Sequence, residues 1–365
     1  MFKKILLAIN LRFLCSLFGK KNTRTIALVV LDGPSSVSVS KKLSSMTEEI
    51  VFYVPVQYSS PVLKSELPFS LIVASSFYQY ITVFLSVIWQ TEGEKISSIL
   101  TMIDKNLIRL YLEKNNKLIS NVVVFNERGP FACSALAAAK RFNIRTCCIQ
   151  HGAIVENYFP IHVDVYFTWS KYFSDVVKSG CSRVLTINVG RLDYTVPQAN
   201  FVEKSNKPLV ALQPGNTSIP FPVLLDNFVD VVEVCLEVFN GVVLRRHPND
   251  NISADLLARL GCDKRIFFDD DLLNDSLAKR NVVISLYSTV LLEASMSGCL
   301  TVQYVSDSWF KPIYQRSINI FYTKQSLREF IEKVKYSPNF TKTNFSDGIV
   351  CQPDYKLFFG TLELV

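Results

Sequence analysis

Short apolar runs alternate with helical stretches along most of this chain of 365 residues. Runs such as Thr25–Leu31, Asn121–Phe125 and Ile144–Ile149 lack the polar–apolar alternation of a strand that has one face in water. Strands that are apolar on both sides belong to parallel sheets covered by helices on both faces. The pattern therefore predicts an α/β fold, and a hydrophobic content of 49% excludes a disordered chain.

A mostly polar stretch divides this pattern into two similar halves. Residues 191–207 contain Pro197 and precede Pro208, so we predict a linker there. Residues 25–190 and 208–365 then each form a Rossmann-like domain, and we expect the two domains to face each other across a cleft. In such sheets ligands bind at the carboxyl ends of the strands, so the residues that follow each strand are the functional candidates.

Two segments carry features of membrane contact. Residues 1–24 mix apolar residues with lysines and arginines but lack a signal-peptide cleavage site. They suit a basic amphipathic helix on an anionic bilayer, or a helix packed on its own domain. The apolar stretch Leu67–Thr91 is interrupted by serines and threonines, so we predict a strand (Ser70–Ala74) and a helix (Phe77–Gln90) instead of a membrane span.

Charge and cysteine usage narrow the classes of partner. The net charge of +7 favours an anionic partner, but no long basic run points to nucleic acid. Nine cysteines without a CxxC pair predict reduced, mostly buried thiols in a cytosolic protein. With only three histidines, no metal site is predicted. The run Asp269-Asp270-Asp271 precedes a predicted helix, which favours a helix cap over a metal site.

Two acid–base candidates follow strands of the N-terminal half. Glu127 comes directly after Asn121–Phe125, where it would act as a general base or balance the dipole of the next helix. His151 lies in a Gln-His-Gly turn after the following strand. There it would transfer a proton or bind a phosphate, and the alternative is a histidine whose hydrogen bonds are satisfied by the backbone.

Basic and hydroxyl side chains follow two strands of the C-terminal half. Arg245, Arg246 and His247 place two guanidiniums and an imidazole at the end of one buried strand, which suits a phosphate. The alternative is a solvated strand end. Ser288 and Thr289 lie between a strand and a helix, where hydroxyls and free N–H groups suit an anion. The alternative for Ser288 is an ordinary helix N-cap.

Further residues extend this predicted nucleotide site. Glu293 lies one turn into the helix and would reach a ribose. Gly215 and Asn216 belong to a polar loop, Gln213–Ser218, that follows a strand and would touch phosphate. The loop lacks the lysine of a Walker motif.

The sequence R-R-H-P, followed later by I-S-L-Y-S-T-V-L-L-E-A-S-M-S-G, resembles the donor-binding domain of GT-B glycosyltransferases. The similarity is greatest to bacterial sialyltransferases and Kdo transferases, and it covers residues 120–305. The region C-I-Q-H-G resembles surface-polysaccharide transferases. The resemblance implies that His247-Pro248 and Ser288-Thr289 hold the phosphate of a CMP-activated sugar.

The acidic-acidic-Gly motif that supplies the base in these sialyltransferases has no intact match here. Glu127 is nearest by position, but an arginine separates it from the glycine. Asp32 precedes Gly33 and matches part of the motif at the end of the first strand. The resemblance therefore makes Glu127 the first choice as base, followed by Asp32 and His151.

The resemblance implies an inverting, metal-independent GT-B glycosyltransferase. It would move sialic acid or a Kdo-type sugar from a CMP-linked donor onto a lipid-linked or cell-surface glycan in capsule, O-antigen or lipopolysaccharide synthesis. Residues 25–190 would bind the acceptor and residues 208–365 the donor, without a cofactor. The enzyme would be cytoplasmic, in peripheral contact with anionic lipid at the inner face of the bacterial membrane.

Three alternatives remain open at this point. A nucleotide-sugar epimerase of the same shape would use Glu127 and His151 as its acid–base pair. A transferase that uses a CDP-polyol would share the phosphate pocket. A non-catalytic scaffold of a polysaccharide assembly complex would bind no nucleotide.

Overall fold

The computed structural model of the protein describes residues 25–30, 34–47, 49–53, 96–154, 158–193, 205–214, 219–247, 250–306, 318–336 and 351–363. The basic segment 1–24 and the stretch Leu67–Thr91 lie outside these ranges. Three candidate site residues also lie outside them, namely Asp32, Gly215 and Asn216. The expectations for all of these stay predictions.

The chain divides into two compact units, each built on one parallel sheet. The first unit combines residues 1–194 with 350–365, and the second comprises residues 195–349. In the described ranges each sheet has six strands, and every pairing within both sheets is parallel. The predicted α/β fold with two parallel-sheet domains is therefore confirmed.

The strands of the first sheet run in the order β2-β1-β3-β4-β5-β6, and those of the second in the order β12-β11-β10-β7-β8-β9. The first sheet contains β1 (Thr25–Val30), β2 (Ile50–Tyr53), β3 (Ile119–Val124), β4 (Arg145–Ile149), β5 (Val165–Thr168) and β6 (Leu185–Asn188). The second contains β7 (Leu209–Ala211), β8 (Val242–Arg245), β9 (Ile266–Asp269), β10 (Val282–Ser285), β11 (Leu300–Tyr304) and β12 (Asn319–Phe321). Strands β5, β7, β10 and β11 are buried at every position, which explains why apolar residues predominate in them.

Helices cover these sheets. The described helices are α1 (Pro34–Ser44), α2 (Ile96–Asn115), α3 (Pro130–Arg141), α4 (Lys171–Gly180), α5 (Phe221–Val238), α6 (Ser253–Arg259), α7 (Leu273–Ala278), α8 (Val290–Met296), α9 (Lys324–Tyr336) and α10 (Tyr355–Glu363). In the second unit, α5 contributes Leu224, Phe228 and Val231 to a core shared with β8 and β10. Four of the described elements (α1, α6, β12 and α10) have no counterpart among the strands and helices predicted from the sequence.

The C-terminal helix α10 packs on the first unit, which corrects the expectation that residues 208–365 form one domain. Phe358 and Leu362 are buried in the core of the first unit. The Asn121 side chain of β3 donates a hydrogen bond to the Leu362 carbonyl at 2.9 Å. Gly190 has φ +72°, and a Cβ there would lie 2.0 Å from the Gln352 carbonyl oxygen. Only glycine permits this close approach of the returning chain.

The described residues also bear on two sequence predictions, one about membrane-spanning segments and one about the cysteines. None of the helices in the described ranges is both long enough and apolar enough to cross a membrane. The cysteines in these ranges carry free thiols, and four of them are buried: Cys147, Cys148, Cys235 and Cys299.

Candidate functional site

A cavity of about 460 Å³ opens in the second unit at the carboxyl ends of β7, β8, β9 and β10. It lies beside the point where the strand order reverses, between β7 and β10. Open parallel sheets bind their ligands at such points. Four predicted nucleotide-binding residues line the cavity: Arg246, His247, Ser288 and Thr289. The fold thus brings two separate sequence motifs to one site.

Arg246 and His247 follow directly after β8. The guanidinium carbon of Arg246 lies 3.9 Å from the centre of the Phe268 ring, a cation–π contact that holds this exposed side chain over β9. Burial lowers the pKa of His247 from 6.5, and the charge of Asp250 opposes this shift. His247 is therefore neutral at pH 7, with an N–H on one of its two ring nitrogens.

Ser288 and Thr289 lie between β10 and α8. The Ser288 hydroxyl oxygen accepts a hydrogen bond from the Val290 amide at 3.2 Å, so it satisfies one amide of the first turn although Ser288 precedes the N-cap position. Thr289 is the N-cap residue itself, and its side chain makes no capping bond. Glu293, predicted to reach a ribose, is not among the described residues that line this cavity.

Gln213 has a structural role at the point where the strand order reverses. Its Oε1 accepts hydrogen bonds from the Ser285 hydroxyl at 3.1 Å and from the Tyr287 amide at 3.0 Å. The Tyr287 hydroxyl donates to the Pro214 carbonyl at 3.1 Å. These bonds join the end of β7 to the end of β10 and so fix the shape of the cavity between them.

The three consecutive aspartates that begin with the last residue of β9 line the same cavity, and the helix-cap role predicted for them is wrong. Helix α7 has no side-chain cap bond. Instead, Asp269 accepts a hydrogen bond from Arg245 Nη1 at 2.5 Å, and Asp271 accepts one from Lys279 Nζ at 2.7 Å. Because its guanidinium contacts Asp269, Arg245 does not form a pair of phosphate ligands with Arg246 as the sequence suggested.

Glu127 and His151 lie at the carboxyl ends of two neighbouring strands of the first sheet, β3 and β4. Glu127 is only 2% exposed. Its Oε2 accepts a hydrogen bond from the Cys148 thiol at 3.4 Å, while its Oε1 is buried without a hydrogen-bond partner among the described residues. A buried carboxylate oxygen left without a partner is costly, which suggests that something else binds there.

His151 presents a ring nitrogen in the same region. Its Nδ1 is buried without a hydrogen-bond partner among the described residues. Burial lowers the pKa of His151 from 6.5, while Phe125 and the charge of Glu127 raise it. The ring is neutral at pH 7 and can accept a proton.

Tyr158 completes this group, and the sequence analysis did not propose a role for it. Its ring centre lies 6.2 Å from that of His151. Burial, followed by the charges of Glu127 and Cys148, raises the pKa of Tyr158, so the phenol stays protonated. Its place in the same loop as His151 was the only signal in the sequence. We refer to Glu127, His151 and Tyr158 as the acid–base cluster.

Gln150 fixes the turn that carries His151. Its side-chain amide donates to the Gly152 carbonyl at 2.9 Å, and its Oε1 accepts from the Trp169 amide at 2.8 Å. The indole N–H of Trp169 donates to the Gln150 carbonyl at 2.9 Å. The first bond closes the turn, and the two bonds from Trp169 hold it against the residue that follows β5, which limits the positions open to the imidazole.

Comparison with protein-family models and with curated proteins finds no match for the sequence. Solved structures do share the fold. A putative UDP-N-acetylglucosamine 2-epimerase from Listeria monocytogenes has a TM-score of 0.60 at 14% identity, over 93% of this chain and 95% of its own. The UDP-GlcNAc 2-epimerase from Neisseria meningitidis, bound to UDP-GlcNAc, has a TM-score of 0.62 at 12% identity, over 92% and 99%.

A third structure is a wall teichoic acid polymerase, TagF, with CDPG. It has a TM-score of 0.50 at 14% identity, over 99% of this chain and 94% of its own. At such identities the likeness shows the fold, and these GT-B-type neighbours agree with the fold expected from the sequence. The narrower resemblance to sialyltransferases and Kdo transferases stays a prediction.

Proposed function

We propose that the protein acts on a nucleotide-activated sugar and epimerises that sugar. The observation that carries the proposal is the acid–base cluster, in which buried Glu127 and neutral His151 each present a polar atom without a partner among the described residues. Epimerisation at a carbon removes a proton from one face of the sugar and returns one to the other. It therefore needs two acid–base groups, which this cluster supplies.

The cavity of the second unit supplies the complementary function of holding the nucleotide. Arg246 provides a positive charge, and His247, Ser288 and Thr289 provide N–H and O–H donors for phosphate oxygens. Its volume of about 460 Å³ lies within the usual range for small-molecule sites. These donors would also stabilise negative charge on the phosphate if its bond to the sugar weakens during the reaction.

Within the acid–base cluster, the protonation states suggest separate tasks. His151 is neutral and would accept the proton at Nδ1. The Tyr158 phenol keeps its proton and would donate it, or a hydrogen bond, to the sugar. The Glu127 carboxylate would stabilise the imidazolium that forms, or exchange the second proton.

The structural comparisons support an epimerase over transfer from a CMP-linked sugar. The two epimerases from Listeria and Neisseria match over nine tenths or more of this chain and of their own. One of them is bound to UDP-GlcNAc. We therefore choose a UDP-linked N-acetyl sugar as the first substrate to test.

Glycosyl transfer is the second candidate, and the meeting of His247 with Ser288 and Thr289 in one cavity favours it. The resemblance to CMP-sugar transferases implies that these residues together hold the phosphate of the donor. TagF with CDPG supports the related use of a CDP-polyol. Under either version the acceptor would be a lipid-linked glycan, and the protein would contact the inner face of the membrane through residues 1–24.

The decisive experiment incubates the protein with UDP-GlcNAc in D2O and follows the sugar by NMR. An epimerase incorporates deuterium at a ring carbon and forms the epimer without any acceptor. A transferase leaves the carbon-bound protons in place and requires an acceptor for turnover. Recovery of unlabelled, unchanged UDP-GlcNAc after incubation with a comparable concentration of the protein would contradict epimerisation of this substrate.

A thermal-shift screen with UDP, CDP, CMP, GDP and dTDP should precede that experiment. A nucleotide at about one hundred times its Kd stabilises the folded state by about 2.7 kcal/mol, which is easily detected. Stabilisation by UDP supports the epimerase, whereas stabilisation by CMP or CDP alone supports transfer. No shift with any nucleotide would contradict both and favour the non-catalytic scaffold.

A further inference from the structure

The cavity of the second unit is lined by carboxylates, although its proposed ligand carries negatively charged phosphate groups. Its lining includes Asp269, Asp270 and Asp271 together with Arg246 and His247. A carboxylate repels phosphate, and the repulsion grows where protein replaces water. Asp269 matters most, because its side chain is only 2% exposed. A phosphate site here requires that this charge be neutralised.

Arg245 is placed to neutralise Asp269. The parallel register of β8 and β9 sets Arg245 beside Asp269, and Nη1 donates to the carboxylate at 2.5 Å. The same Nη1 donates to the Asp271 carbonyl at 2.9 Å. The Arg245 carbonyl accepts from the Leu212 amide at 2.9 Å. One residue therefore joins the ends of three strands that border the cavity.

We propose that Arg245 is a positioning residue of the nucleotide cavity, which neutralises Asp269 so that phosphate groups can approach Arg246 and His247. This inference rests on the proposed function. Arg245 does not itself bind the phosphate. It removes a repulsive charge and anchors the loop between β9 and α7 that forms one wall of the cavity.

Lys279 makes a similar but weaker contribution on the outer side of that loop. Its ammonium contacts Asp271 at 2.7 Å, and both side chains are more than 40% exposed. Solvent screens such a pair strongly, whereas the Arg245–Asp269 pair is largely shielded. The proposed effect therefore belongs to the buried pair.

Charge neutralisation and simple structural support predict different results for the two partners. If the pair only supports the fold, removing either partner should weaken nucleotide binding to the same extent. If Arg245 neutralises Asp269, then R245Q should weaken binding, while D269N should preserve or strengthen it. The double variant R245Q/D269N should recover affinity, because neither the charge nor its partner is then present.

The test is calorimetric titration of UDP and of pyrophosphate into the wild type, R245Q, D269N and R245Q/D269N. We expect R245Q to weaken both ligands by about tenfold or more, and the double variant to return to within about threefold of the wild type. The exposed Arg259–Asp226 ion pair provides matched controls, R259Q and D226N, which should leave affinity unchanged.

Equal losses in R245Q and D269N, or no recovery in the double variant, would overturn the inference. If R245Q does not fold, D269N and the double variant still decide, because the neutralisation model predicts near-normal affinity in both. If pyrophosphate binds but no nucleotide does, the proposed function is rejected. The pyrophosphate affinities of the variants then still test the role of Arg245. Binding of neither ligand would overturn both proposals.

Discussion

The two units of the protein share one kind of sheet but carry different chemistry. The second sheet runs β9-β8-β7-β10-β11-β12. If its strands are numbered from β7 onward, this is the order 3-2-1-4-5-6 that is common in Rossmann sheets. The first sheet runs β2-β1-β3-β4-β5-β6 and has no described strand beyond β2. In both units the candidate residues follow strands at or beside the point where the order reverses.

The side chains at these equivalent edges differ in exposure and in the basic and hydroxyl groups that they present. The first unit buries a carboxylate and a neutral imidazole, Glu127 and His151, with polar atoms that no described residue satisfies. The second unit opens a cavity that presents Arg246, His247 and two hydroxyls. The shared fold supplies the location, and the residues after each strand decide between proton transfer and anion binding.

The largest expected effect is a loss of activity without a loss of UDP binding when the acid–base residues of the first unit are replaced. E127Q and H151N should each reduce deuterium incorporation into UDP-GlcNAc by about 10²–10⁴-fold, because each removes an acid–base group. UDP affinity should stay close to that of the wild type. Matched controls are E113Q and H162N, since Glu113 and His162 are exposed. A parallel loss of UDP binding would show that the two units do not divide these tasks.

A second prediction asks whether the C-terminal helix stabilises only the first unit. F358A should destabilise that unit by about 3–5 kcal/mol, because Phe358 is fully buried against Phe167 with ring centres 4.8 Å apart. Hydrogen exchange followed by mass spectrometry should show faster exchange in β1 and β3 and unchanged exchange in β10. L357A is the control, because Leu357 is 42% exposed. Equal acceleration in both units would contradict this assignment of α10.

A third, smaller effect concerns the second unit. R246Q and H247A should each weaken UDP binding by about tenfold, or about 1.4 kcal/mol, because each removes a donor to the phosphates. The melting temperature should change little, since Arg246 is exposed and His247 only partly buried. Calorimetry of UDP binding with R259Q as the control checks this. Unchanged affinity in both variants would place the nucleotide elsewhere.

The smallest expected effect is a pH dependence of the free energy of unfolding that has the same direction in both units. Burial lowers the pKa of His151 from 6.5, so the unfolded chain takes up a proton before the folded one does as the pH falls. Stability is therefore unaffected above pH 6.5 and decreases below it. His247 shifts in the same direction and should add a similar trend in the second unit.

Urea denaturation at pH 7 and pH 5 measures this dependence. H151N should lose less stability between the two values than the wild type does, whereas H162N should match the wild type. An acid-induced loss that is identical in H151N and the wild type would show that His151 does not contribute to it.

The sequence predicted elements in which apolar residues predominate over the whole length of the strand or helix. The predicted helix Val290–Met296 and strand Leu300–Tyr304 have those bounds in the structure. Apolar residues predominate in both segments, and most of their side chains are buried. The Arg-His and Ser-Thr motifs were also found from the sequence, because each lies in a short polar break directly after such a strand.

The sequence missed helices whose formation depends on tertiary contacts. Helix α1 is rich in serine and valine, which favour other conformations, yet Val39 and Leu43 bury its inner face. Helix α10 contains Gly360 and lies far along the chain from the unit that it joins. In both helices packing supplies the stability that local propensity does not.

By itself, the sequence determined the alternation of strands and helices, the division into two parallel sheets and the strand ends that carry polar groups. These features depend on local patterns of apolar residues, which the chain displays directly. Only the tertiary structure decided that Arg245 contacts Asp269, that Tyr158 lies beside His151 and that α10 returns to the first unit. Those contacts join residues through space, and no periodicity along the chain records which charge or cavity a side chain will meet.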